Sequence, residues 1–144
     1  MNLNKNLVFL GMMGSGKSSI GNLVSKKLDL PFIDIDSVIE ENTGMSISQI
    51  FKKKGEDYFR NLEQKITLKY LKKIRNVISL GGGGFINTKI RQEILANHFS
   101  FWLNWDESIL LNITTPITIV AEINVTLIKI FLLVPVLVIF ENSI

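Results

Sequence analysis

Cysteine is absent from this chain. Its absence excludes disulfides, thiolate metal sites and a cysteine nucleophile. Histidine occurs once, at His98, and a lone histidine without a partner is more often structural than catalytic. No basic stripe with interleaved aromatics appears, and the formal net charge is only +3 with a sequence pI of about 9.2. Nucleic-acid binding is therefore not expected. Long apolar runs are also scarce. Leu7–Leu10 is four residues before Gly11 and follows a polar start, too short for a secretory signal, so the expected address is the cytoplasm. Ile130–Phe140 is apolar apart from Pro135 but only 11 residues long, whereas a helical span needs about 20. Its β-branched content points to a strand rather than a membrane anchor.

One absence is regional. Residues 113–144 contain no glycine and no arginine, and their only charged residues are Glu122, Lys129 and Glu141. Residues 1–112 hold fifteen of the sixteen lysines and arginines and all ten glycines. The composition thus divides the chain into a charged, glycine-bearing part, 1–112, and an apolar tail, 113–144. The abruptness of the break suggests a change of reading frame at that point. No internal repeat and no linker rich in Pro, Gly or Ser separates the parts.

Within 1–112, short apolar runs alternate with helical periodicity. Leu7–Leu10 reads as a buried parallel strand ended by glycine. Lys17–Leu28 places Ile20, Leu23, Val24 and Leu28 at helical spacing. Phe32–Ile35 reads as a second strand. A short helix is expected after Ser46, stopping at Gly55, and a long amphipathic one over Glu56–Ile74. Asn76–Leu80 reads as a third strand, Thr88–Leu95 as a helix and Phe99–Trp105 as a fourth strand. Strands separated by helices predict a parallel sheet covered on both faces, in one domain.

Four segments carry candidate chemistry. Gly11-Met12-Met13-Gly14-Ser15-Gly16-Lys17-Ser18 matches G-x-x-x-x-G-K-[ST], between an apolar strand and an amphipathic helix. Such a loop wraps backbone N–H groups around a polyphosphate and points a helix N-terminus at it. Lys17 would reach the β- and γ-phosphates, and the Ser18 hydroxyl would ligate Mg²⁺. Asp34 and Asp36 follow the second strand. If that strand continues, both carboxylates face one side, at the sheet edge where ligands bind. One could hold Mg²⁺ through water and the other could take a hydroxyl proton. Equally, Asp36 could be a helix N-cap. Arg60 has a planar fork suited to a carboxylate, with Glu63 three residues on to pair with or orient it. A surface ion pair is the competing reading. Gly81–Gly84 is either a close backbone approach to a ligand or a flexible loop. Lys52-Lys53-Lys54 reads as a solvated helix end.

Taken in order, the phosphate loop, Phe-Ile-Asp-Ile-Asp, Thr-Gly-Met-Ser-Ile-Ser-Gln-Ile-Phe, Gly-Glu-Asp-Tyr-Phe-Arg-Asn-Leu-Glu and Leu-Gly-Gly-Gly resemble the shikimate kinases over about residues 5–112. The resemblance implies a P-loop kinase of three α/β/α layers around a parallel sheet. It implies transfer of the γ-phosphoryl of ATP to the 3-hydroxyl of shikimate, on the route to the aromatic amino acids. ATP phosphates would lie on Gly14, Ser15, Gly16, Lys17, Ser18 and Ser19, with Lys17 and Asp36 as catalytic groups. Ser18 and Asp34 would serve Mg²⁺, and Asp36, Arg60 and Gly82 would bind shikimate. The implied partners are the small molecules ATP and shikimate, with a monomer expected. A different P-loop kinase, for gluconate or nucleotides, is the alternative, against which the Asp36, Arg60 and Gly82 set speaks. The resemblance fails after Asn112: shikimate kinases continue into an arginine-bearing lid and a last helix. Residues 113–144 do not match these, so the fold is expected to be incomplete there. Weak or no turnover, with nucleotide binding partly retained, is the corresponding expectation.

Overall fold

A computed structural model describes residues 4–104 and, as backbone alone, Val136–Phe140. The elements in chain order are β1 (Leu7–Gly11), α1 (Lys17–Leu28), β2 (Phe32–Asp34), α2 (Ile35–Thr43), α3 (Ile47–Lys54), α4 (Glu56–Leu71), β3 (Val77–Ser79), α5 (Thr88–Asn97), β4 (Phe99–Asn104) and β5 (Val136–Phe140). A 3₁₀ turn, Gly84–Ile86, precedes α5. All strand pairings are parallel, in the order β2-β3-β1-β4-β5.

The period-two alternation of β1 explains the layers. Leu7 and Phe9 point to one face, where they join Val77, Phe101, Leu103 and the Ile20–Val24 stripe of α1. Phe9 and Phe101 stack there with ring centroids 5.2 Å apart. Val8 and Leu10 point to the other face, joining Ile78 and Leu80 with Ile35, Ile39, Ile50, Phe59, Ile66, Ile90 and Ile94 from α2 to α5. A strand buried on both faces has no polar side to offer, which is why Leu7–Leu10 shows no alternation of apolar and polar residues. Each of these buried side chains contributes roughly 1.5–3 kcal/mol of transfer free energy.

Helix ends follow local chemistry. Ser46 caps α3 by accepting from Gln49 N, and Gln49 Oε1 accepts from Ser46 N in return, a complete capping box. Asn87 caps α5 through the N–H groups of Lys89 and Ile90. The expected elements are present with small shifts of boundary. The main one is at β2, which ends at Asp34 rather than Ile35, because α2 starts at once. The expectation of a strand in the apolar tail is met for Val136–Phe140, which pairs with Ser100–Asn104. The remaining tail positions and the Asp106–Asn112 segment lie outside the described residues. Among the described residues, no helix is long and apolar enough to cross a membrane.

Because the strands run parallel, their C-terminal ends share one edge. Gly11, Asp34 and Ser79 all lie there, and the loops that follow them build the crevice. At the opposite edge the buried Asn6 ties the chain together. Its Nδ2 donates to Leu71 O and Lys73 O, and its Oδ1 accepts from Asn76 N and Nδ2. His98 is buried at this far edge, accepting from Asn6 N at 3.5 Å. It takes no part in the crevice.

Candidate active site

The loop from β1 to α1 closes tightly. Gly11 has φ 145°, and a Cβ there would stand 2.5 Å from the Leu103 carbonyl oxygen of β4. Only glycine fits that approach without moving backbone. Gly16 ends the loop at φ 80° and offers α1 no side-chain cap. Since the first-turn N–H groups of a helix have no intrahelical acceptor, they remain available to an anion. Gly14, Ser15 and Gly16 form the loop, Lys17 opens α1, and Ser18 and Ser19 are exposed on its first turn.

Lys17 is 8% exposed and donates through Nζ to Met12 O at 2.6 Å. The ammonium thus folds back over its own loop. Burial lowers its pKa, against the opposing fields of Asp36 and Asp34. Among the described residues, the Met12 carbonyl is the one hydrogen-bond acceptor of this buried cation.

The two aspartates occupy different elements. Asp34 ends β2 and is the N-cap of α2, accepting from Ser37 N at 3.2 Å through Oδ1, while Oδ2 accepts a short hydrogen bond from the Ser18 hydroxyl. Asp36 lies in the first turn of α2. The expectation that both carboxylates share a strand face, and the alternative that Asp36 caps the helix, are therefore both corrected. The cap is Asp34, and the early helix start swings Asp36 back into the crevice. There it meets Lys17 from α1 and the glycine run. Asp36 makes no hydrogen bond to another described residue. Its pKa is raised to about 6, by burial first, then by Asp34 and Glu63, with Lys17 opposing and Glu40 adding.

Arg60, on the second turn of α4, packs over the Phe59 and Phe51 rings at 5.1 and 5.9 Å. Its Nη1 donates to Glu63 Oε2 at 2.8 Å and its Nε to Glu56 Oε1 at 3.3 Å. The pair with Glu63 is not a surface pair, because that glutamate side chain is 2% exposed. Among the described residues Nη2 has no acceptor, so one arm of the fork remains for a ligand.

Gly81–Gly84 is a packed turn, not a slack loop. Gly84 N donates to Gly81 O. A Cβ at Gly81 would come within 2.7 Å of both Asp36 Oδ1 and Glu63 Oε1, and one at Gly83 within 2.8 Å of the Arg60 guanidinium nitrogens. A Cβ at Gly82 would stand 3.2 Å from Met13 N of the phosphate loop. The run is glycine because carboxylates, guanidinium and phosphate loop all press on one stretch of backbone. Two participants escaped the sequence reading: Ser79, whose hydroxyl lies 3.4 Å from that of Ser18, and the burial of Glu63. Ser79 closes an otherwise apolar strand just before the glycines, and that position was the available signal.

The phosphate loop between β1 and α1 of a parallel β2-β3-β1-β4-β5 sheet, with carboxylates gathered at the same edge, defines the P-loop kinase fold class. Solved structures agree. The chain superposes on a shikimate kinase from Aquifex aeolicus with a TM-score of 0.73 and 28% identity, covering 96% of this chain and 88% of that one. For a shikimate kinase from Acinetobacter baumannii in complex with shikimate the TM-score is 0.74 at 24% identity, covering 96% and 84%. The shikimate kinase family model matches residues 13–116, and the chain belongs to that family. Among curated relatives, shikimate kinases from Bartonella quintana and Bacillus subtilis are 48% and 46% identical over 105 and 109 residues. Those alignments cover 73% and 72% of this chain but 50% and 59% of the relatives. The chain thus spans about half the length of the curated relatives it matches.

Proposed function

We propose that the chain phosphorylates the 3-hydroxyl of shikimate with ATP. The observation that carries this reading is the convergence on one crevice of a phosphate loop, a desolvated carboxylate at Asp36 and a half-free arginine fork at Arg60. A carboxylated polyol needs those three things: a cradle for the donor's phosphates, an acceptor for a hydroxyl proton, and a planar clamp for its own carboxylate. Gly14 to Ser19 would hold the phosphates, with Lys17 leaving the Met12 carbonyl for them. Arg60 and the Gly82 backbone would orient shikimate so that its hydroxyl oxygen faces the γ-phosphorus. As the new P–O bond forms and the bond to the ADP oxygen breaks, Asp36 takes the hydroxyl proton. Positioning and charge neutralisation supply most of the acceleration in such a transfer.

The Ser18 hydroxyl and Asp34 carboxylate stand in direct contact at the crevice mouth. Hydroxyl and carboxylate oxygens are the hard donors that suit Mg²⁺. Ser18 would hold it directly and Asp34 through water, and the ion would neutralise phosphate charge. A monomeric cytoplasmic enzyme is part of the same proposal, acting on small molecules and on no nucleic acid or membrane. So is a two-part chain, with the site in 1–112 and a frame-changed tail in 113–144. Reading the encoding DNA in its other frames tests the last point, and failure to find an arginine-rich lid segment there would remove it.

ATP turnover by the purified chain with Mg²⁺, with and without shikimate, is the direct test. Stimulation by shikimate, and not by gluconate or a nucleoside monophosphate, is the expected result. One observation favours a second reading: residues 113–144 contain no arginine to close over the phosphates. Retained ATP binding without turnover would mean a nucleotide-binding relic of the family.

A further inference from the structure

We propose that Met13, with Met12 beside it, is a peroxide-sensitive modification site: oxidation of the thioether to the sulfoxide weakens the hold of the phosphate loop on nucleotide, and reduction restores it. The loss of binding rests on the reading of Gly14 to Ser19 as the phosphate cradle; the modification itself does not. The chain has no cysteine, so its four methionines carry all of its sulfur. Two of the four stand side by side in the phosphate loop, Met12 67% and Met13 89% exposed. Neither belongs to a core cluster, so packing does not account for them. Met45, by contrast, is half-buried and packed against the core, and Met1 lies outside the described residues. Thioether oxidation follows access, so a peroxide in solution meets the loop sulfurs before that of Met45.

The backbone that carries the two side chains is held in place. Met12 O accepts from Lys17 Nζ at 2.6 Å and from Ser15 N at 3.2 Å. Met13 lies beside the glycine turn, since a Cβ on Gly82 would stand 3.2 Å from its N. The two thioethers are therefore fixed at the rim of the candidate site, where loop and turn meet. In the oxidation the sulfur attacks one oxygen of hydrogen peroxide. An S–O bond forms, the O–O bond breaks and water leaves; the sulfur loses two electrons and the peroxide gains them. A dithiol-dependent sulfoxide reductase returns the thioether, with a disulfide and water as products. The sulfoxide oxygen accepts hydrogen bonds and carries the negative end of a dipole. Beside N–H groups and an ammonium that await phosphate, it competes for those donors and opposes the arriving anion.

The test treats the full chain, without ligand, with hydrogen peroxide and follows each methionine by peptide mass spectrometry. Met13 and Met12 should gain oxygen at least about fivefold faster than Met45, and the difference should vanish in urea, where the fold no longer sets access. Calorimetry with ATP and Mg²⁺ should then show affinity at least about threefold weaker after oxidation, regained on treatment with sulfoxide reductases and a dithiol. The double variant Met12→Leu, Met13→Leu keeps apolar volume without sulfur; compared with its own untreated sample, it should lose no affinity. Equal rates at Met13 and Met45 in the folded chain overturn the proposal. So does an oxidised chain that binds ATP as the untreated one does, or a loss that the leucine variant shares. An untreated chain that binds no ATP overturns the functional reading instead, and the oxidation rates still decide the modification site.

Discussion

Asp36→Asn should stabilise the protein, and increasingly so as the pH rises. Asp36 titrates at about 6 in the folded chain against 3.8 for an unperturbed aspartate. The folded state therefore binds this proton more tightly than the unfolded state does. The associated stability is fully present below the unfolded value and is lost as the pH climbs through the folded one. A displacement of roughly two units corresponds to about 3 kcal/mol at most, at 1.4 kcal/mol per unit. Partial contact with solvent makes that an upper bound. Asparagine cannot ionise, so it escapes the loss. Urea unfolding of both proteins between pH 4.5 and 8 gives the assay. The stability gap between Asp36→Asn and the parent should widen in favour of the variant up to about pH 7 and then level off. A flat gap, or one that closes with rising pH, would refute the claim that the crevice holds its carboxylate at a cost. The same variant should lose shikimate-dependent turnover. Gain of stability with loss of function at one position is the expected mark of a site where a charge is kept against its preference.

Three further outcomes follow from the geometry. Lys17→Met should weaken ATP binding by at least tenfold in calorimetry, since it removes the one buried ammonium at the phosphate loop, while far-UV circular dichroism stays unchanged. Gly11→Ala should cost about 2 kcal/mol or more in urea unfolding, because its methyl would meet the Leu103 carbonyl at 2.5 Å and its φ of 145° disfavours any side chain. Asn6→Ala should cost about 1–3 kcal/mol by the same measurement, because the buried Asn76 N–H loses its acceptor and the Leu71 and Lys73 carbonyls lose a donor. Shikimate binding by Asn6→Ala should survive, as Asn6 lies at the far edge of the sheet.

Local chemistry made much of this protein readable from its residues. The phosphate loop is legible because a polyphosphate cradle demands glycines, a lysine and a hydroxyl at fixed spacing, whatever the rest of the fold. The parallel sheet is legible because strands buried on both faces lose the apolar-polar alternation, as Leu7–Leu10 does. The start of α3 is legible because Ser46 and Gln49 satisfy the orphan groups of a helix end by themselves. Tertiary structure decided the rest. Asp34 and Asp36 read as strand neighbours until α2 starts at Ile35, a boundary that depends on Asp34 capping the helix while receiving Ser18 from another element. Arg60 and Glu63, by themselves, read better as a surface pair than as a ligand clamp. Only the burial of Glu63 under Gly81 and Gly84 makes it an interior one, and burial is a property of the packed chain. The glycine run read as a slack loop or a ligand approach, and only its place at the sheet edge of the phosphate loop favoured the approach. What requires glycine there is the arrival of Asp36, Glu63, Arg60 and Met13 from distant parts of the chain. Spacing along a chain shows which groups an element can present, but distances between elements are set by the core that packs them.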